Sequence, residues 1–247
     1  MNAGNAPIDT ITRFRFGDVF PADDPVAEWV ATITLAFNDI ELVHGQFDEA
    51  FDGPAYRYLY LLRVALGHFN EAAAFLEATA ALPEIHAFVR TLPDDVRASY
   101  KDSLRRYAER KSFLGQVRNL SAFHYPAMSR ARGRKRVMQR VLADLEDATT
   151  SMFRSASGTI GDSRQLFGDD IVSRLFTAGA KTDDELYDHH AEVREAITSF
   201  MRFANGAINE WFGRAIDRGV VFATEPGSPP SFGDILGQQR AADEDAE

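Results

Sequence analysis

Cysteine is absent from the 247 residues, which excludes disulfides, thiolate metal sites and cysteine nucleophiles. Long apolar runs are missing too. Nowhere do about eighteen uncharged apolar residues follow one another, as a membrane-crossing helix requires, and the opening MNAGNAPIDTITRFRF has no apolar stretch after its first basic residue. The expectation is a cytoplasmic chain with no membrane partner. The sequence contains no phosphate loop, no dinucleotide glycine fingerprint and no pattern of paired strands, and with them go most α/β enzyme classes. No internal repeat recurs at a fixed period.

What is present is a chain with 45% hydrophobic residues, enough for one sizeable core. Its net charge of -10 argues on average against an anionic partner. The average conceals a segregation. Between Arg97 and Arg140 stand thirteen Lys and Arg against only Asp102 and Glu109, a local charge of +11, so the remainder carries -21. Two readings follow: the basic segment attracts an anionic ligand, or basic helices face acidic neighbours within the same bundle.

Helical periodicity dominates the pattern. From about Pro25 to Phe51, apolar residues recur at Trp29, Ile33, Phe37, Ile40, Val43 and Phe47, three and four apart as one helical face requires. Asp52-Gly53-Pro54 interrupts this, and a second helix follows with Tyr58, Leu62, Leu66, Phe69, Ala73 and Leu76 on its seam. Pro83 opens a short helix ending near Leu92. Pro93-Asp94-Asp95 opens another, since proline fits the first turn and carboxylates favour the positive end of the helix dipole. That helix is expected to run on to about Tyr125, where Pro126 lacks an amide hydrogen. A basic linker, 129–135, leads to a helix through Val137, Val141, Leu142, Leu145 and Met152. Residues 155–180 are rich in Gly, Ser and Asp and have no clear assignment. The last long helix begins at Thr182-Asp183-Asp184-Glu185, a capping-box-like start, with Leu186, His190, Val193, Ile197, Phe200, Ala204, Ile208, Trp211 and Ala215 on its seam. Beyond Gly219 come one β-like fragment, VVFAT, and a stretch of Pro, Gly and Ser ending in AADEDAE. The expected architecture is all-α: a bundle of about five to six helices over 25–220, an N-terminal extension over 1–24, and a disordered acidic tail over 221–247.

Acid–base chemistry near neutral pH points to the six histidines. His44 and His190 sit on apolar seams and are expected at or near the core. His189 belongs to Glu185, His189 and Glu192, three candidate metal ligands on one helical face, which surface charge pairing explains equally well. His68 and Glu71 form an HxxE pair. His124 stands apart because of what precedes it, RNLSAFHYP, with Arg118 and Asn119 ahead of it. This resembles the HEPN superfamily of helical-bundle ribonucleases, whose motif is Arg, a polar residue that is often Asn, and His four to six residues beyond the Arg. A chain of this composition holds roughly two Arg–His pairs at that spacing by chance, and Arg63 with His68 in RVALGH is one; requiring Asn directly after Arg lowers the expectation to about 0.05.

The resemblance implies RNA cutting without a metal or cofactor, in a toxin or abortive-infection role, with an antitoxin protein as a possible partner. RNA can be cleaved by its own 2′-hydroxyl when a base takes the hydroxyl proton and a cation stabilises charge on the phosphoryl oxygens. His124 suits the first task and Arg118 the second. Asn119 would orient the histidine or bind phosphate, Tyr125 would contact or stack on a base, and Arg130, Arg132, Arg134, Lys135 and Arg136 would hold the RNA backbone. Positions six apart lie roughly 120° from each other on a straight helix, so Arg118 and His124 would not share a face there. The resemblance implies a homodimer that builds one cleft from two apposed motif helices. Two other readings remain: a non-catalytic HEPN-like module that binds RNA or protein, and a metal enzyme built on Glu185, His189 and Glu192, with His68 and Glu71 as further ligands.

Overall fold

The structure, a computed structural model, describes residues 10–51, 53, 55–109, 146–147 and 182–228. Among these residues the chain is helical apart from a small two-stranded sheet. The order is β1 (Thr10–Arg13), α1 (Phe16–Val19), α2 (Pro25–Phe51), α3 (Ala55–Thr79), α4 (Pro83–Thr91), α5 (Asp94–Ala108), α6 (Asp183–Asp217) and β2 (Ala223–Pro226). Two compact units divide it, one from the two termini up to Asp24 and from Phe212, the other Pro25–Trp211.

In the larger unit α2 and α3 lie antiparallel. The indole Nε1 of Trp29 donates to Thr79 Oγ1 at 2.8 Å, and Asp39 meets His68 nearer the connecting turn. The seams read from the sequence face inward: Trp29, Ile33, Ile40 and Val43 on α2, and Tyr58, Leu62, Leu66, Phe69, Ala73 and Leu76 on α3, are all buried. Phe37 is only half-buried. Each large apolar side chain so removed from water contributes about 1.5–3 kcal/mol. Proline opens α4 at its first turn, where a missing amide hydrogen costs nothing, and Ile85, Phe88 and Val89 turn inward. The rings of Phe88 and Phe203 meet Trp29 edge-on at 6.0 and 5.9 Å. These edge-to-face contacts join α2, α4 and α6 at the core centre.

Helix α6 begins as its sequence predicts, with the Glu185 amide donating to Thr182 Oγ1 at 3.3 Å. Val193, Ile197, Phe200, Ala204, Trp211 and Ala215 of its predicted seam are buried, and His190 and Ile208 are half-buried. Gly219, at φ +83°, ends it. The Gly219 amide donates to Ile216 O and the Val220 amide to Ala215 O, the paired bonds of a Schellman motif.

Two features depart from the sequence expectation. Helix α5 ends at Ala108, with Glu109 extended, which breaks the single helix expected to reach about Tyr125; the rest of that stretch lies outside the described residues. Its last fully buried residue is Ser103, and Arg106 and Tyr107 in the final turn are half-buried. The second departure is a strand pair: Thr10–Arg13 pairs antiparallel with Ala223–Pro226, from Thr10 opposite Pro226 to Arg13 opposite Ala223. The β-like fragment VVFAT overlaps β2, but its partner lies more than two hundred residues away, so no hairpin turn announces the pairing. Arg13 Nε donates to Glu225 Oε1 at 2.7 Å across it. In this smaller unit Phe14, Phe20, Phe212 and Phe222 form a ring cluster, with centroid separations of 5.3 Å for Phe14–Phe212 and 5.7 Å for Phe212–Phe222. No single helix among the described residues is long and apolar enough to cross a membrane.

Candidate functional site

Of the basic segment Arg97–Arg140, the described part is the stretch up to Glu109. Arg118, Asn119, His124, Tyr125, Arg130, Arg132, Arg134, Lys135 and Arg136 lie outside the described residues. The described arginines are engaged within the chain. Arg97 pairs with Asp94 and donates to the Arg90 carbonyl. Arg105 reaches Asp102 at 2.5 Å and Glu109 at 3.4 Å. Arg106 donates through Nε to Asp102 at 2.7 Å and through a terminal nitrogen to Glu195 at 3.0 Å. Of these pairs, Arg106–Glu195 joins two helices, and the others lie within α5 and its C-cap Glu109. The stretch 110–140 still holds nine Lys and Arg and no carboxylate.

Arg106 and its partners sit in an open groove of about 640 Å3 between α5 and α6. The two helices run antiparallel and approach closely, because small residues meet along the crossing: Ser99 and Ser103 are buried, and a Cβ on Gly206 would stand 2.5 Å from a methyl of Val96. The buried hydroxyls return to their own helix, Ser99 to the Asp95 carbonyl at 3.1 Å and Ser103 to the Ser99 carbonyl at 3.0 Å. Such back-bonding satisfies the buried hydroxyls within α5, while the Ser199 hydroxyl on α6 donates to the Ser99 carbonyl at 3.2 Å and links the two helices. Burial disfavours the Asp102 carboxylate, but hydrogen bonds from Arg106, Arg105 and Ser199 outweigh it and hold Asp102 below the usual carboxylate range. Burial likewise opposes the Arg106 charge, and hydrogen bonds to Asp102 and Glu195 overcome it. Asp95, Asp102 and Glu195 balance Arg106, Arg194 and Arg202 around the groove, so it has no net pull on a phosphate backbone. The spacing of Asp102 and Arg106 is a local signal the sequence carries; Glu195, 89 positions away, has no such signal.

A second cleft, of about 200 Å3, lies along α2 and α3. His68 Nδ1 stands 3.5 Å from Asp39 Oδ2 at its edge, and Glu71 lines it. His68 and Glu71 stand out in the sequence, whereas Asp39, 29 residues earlier on another helix, does not. His190 lies half-buried on α6, its Nδ1 3.0 Å from the Tyr58 hydroxyl on α3. Burial pushes that phenol far above its ordinary range. Among the described residues no three His, Asp or Glu side chains converge as a metal site, and the Glu185, His189 and Glu192 trio does not form one. No family model matches the chain, and neither a curated protein nor a solved structure shows significant similarity to it.

Proposed function

We propose that the chain is a metal-independent endoribonuclease, cytoplasmic and homodimeric, acting in a defence or toxin role under the control of an antitoxin. The observation that carries this reading is the sequence Arg118-Asn119 followed by His124, set inside a stretch of nine cations without a single carboxylate. Segments of that charge attract phosphate backbones. The helical architecture is of the kind that the resembling ribonucleases use.

In this reading His124 takes the proton from the RNA 2′-hydroxyl as that oxygen attacks the adjacent phosphorus. Arg118 stabilises the charge that builds on the phosphoryl oxygens, and the 5′-oxygen of the next nucleotide leaves. Asn119 orients the imidazole or binds phosphate. Tyr125 stacks on a base, and Arg130, Arg132, Arg134, Lys135 and Arg136 hold the flanking backbone. The chain therefore works in the presence of EDTA.

Purified protein incubated with structured RNAs in EDTA tests this directly. Cleavage that His124→Ala abolishes, with products ending in 2′,3′-cyclic phosphate, is the expected result. No His124-dependent cleavage across several substrates overturns it. RNA binding that survives His124→Ala without cleavage by either chain would identify a non-catalytic binding module instead.

A further inference from the structure

We propose that the outer face of the α2–α3 pair is where two copies of this chain meet, antiparallel, about a two-fold axis beside Val64. Three large apolar side chains stand out to water on this face: Leu35 and Leu42 on α2, 68% and 65% exposed, and Tyr60 on α3, 63% exposed. Leu35 and Leu42 lie seven positions apart, two turns along one stripe, with Asp39 between them. Asp39 meets His68 of α3, and Leu35, Asp39, His68 and Glu71 line one cleft, so the stripes of the two helices form a continuous surface. Four residues forward along α2 and four back along α3 from the Asp39–His68 contact, Val43 comes level with Val64. Leu42 therefore lies next to the axis and leaves water when the copies meet.

Charge complementarity along α3 identifies the partner. Arg57, Tyr60, Val64, His68 and Glu71 follow at intervals of three, four, four and three residues. At about 100° per residue, all five fall within roughly 40° of Val64 around the helix. The spacing reads the same in both directions but the charge does not: a cation stands seven residues before Val64 and a carboxylate seven residues after it. Two copies laid antiparallel about Val64 bring Arg57 of each opposite Glu71 of the other, twice over, and Tyr60 opposite His68. A parallel arrangement would set Arg57 against Arg57 and Glu71 against Glu71. Arg57 and Glu71 are both exposed, and neither makes an ion pair among the described residues, so both charges are available to a partner. A patch that complements itself in this way is what a two-fold interface requires. It gives the homodimer of the proposed function a surface of its own, outside the 118–124 motif, and it stands or falls without the ribonuclease chemistry.

Sedimentation equilibrium of the full chain, without RNA, tests the surface and its register together. The wild type should dimerise at micromolar concentration. Arg57→Glu and Glu71→Arg, each alone, set like charges opposite one another at both ends of the interface and should weaken self-association at least about tenfold. Mixed in equal amounts, the first variant brings carboxylates at both positions and the second brings cations at both, so they should pair with each other as tightly as two wild-type chains. Both positions are exposed and helical, and an unchanged far-ultraviolet circular dichroism spectrum checks that the fold is kept. Three results overturn the proposal. A monomeric wild type removes the dimer, self-association that neither reversal weakens places the contact elsewhere, and two weakened variants that stay apart when mixed rule out the antiparallel register.

Discussion

Gly206 and Val96 show how one missing carbon sets the distance between two helices. A Cβ at Gly206 would meet both Val96 methyls, at 2.5 and 2.7 Å, and a β-branched side chain has little freedom to move aside. Forcing a methyl into such a contact costs about 1–3 kcal/mol, while alanine recovers at most about 1 kcal/mol of helix propensity over glycine. Gly206→Ala should therefore lower the urea midpoint, and Val96→Ala in the same chain should relieve much of the loss. A Gly206→Ala chain as stable as the wild type would mean that the helices separate freely. Asp102 supplies a second test at this scale. Its native carboxyl titrates below the usual carboxylate range, so the folded chain binds fewer protons there than the unfolded one. Its contribution is complete above the ordinary carboxylate pKa and fades as pH falls toward the native value. Asp102→Asn should cost roughly 1–2 kcal/mol at neutral pH, and the gap from wild type should narrow on acidification. A gap independent of pH would assign the loss to packing.

At the scale of elements, helix ends differ in what decides them. Helices α4 and α6 start where sequence signals say, at Pro83 and after the Thr182 cap, because proline geometry and a hydroxyl acceptor act within one turn. The stop at Gly219 is equally local. Only glycine takes φ +83° without cost, so Gly219→Ala should destabilise the chain by about 1 kcal/mol, read as a fall in thermal midpoint with the fold retained. An unchanged midpoint would show that the Schellman bonds contribute nothing. The end of α5 at Ala108 has no such signal. Nothing in YAERKS forbids a helix, so the stop is not legible in the local sequence.

For the whole molecule the decisive quantity is charge distribution. The described arginines of α5 are neutralised by Asp94, Asp102, Glu109 and Glu195, so RNA affinity, on the proposed function, rests on 110–140. Binding should then weaken steeply with salt. Replacing Arg130, Arg132, Arg134 and Arg136 with Gln should flatten the slope of log affinity against log salt by about 3, near 0.7 for each single-strand phosphate that is no longer neutralised. A filter-binding series from low to high salt reads this, and an unchanged slope would place the four arginines away from the nucleic acid.

The amino-acid order alone determined the helical class, the seams of α2, α3 and α6, and most helix starts, because periodicity, proline and caps act over one to two turns. It also carries the Arg118, Asn119 and His124 motif, whose residues are close in the chain. Tertiary structure decided what joins distant positions. The pairing of Thr10–Arg13 with Ala223–Pro226, the Arg106–Glu195 bridge and the meeting of Asp39 with His68 each bring together residues from separate elements. No local pattern encodes those partners. Their proximity follows from how the helices pack, and packing depends on side-chain volumes summed over the core, such as the absent Cβ of Gly206.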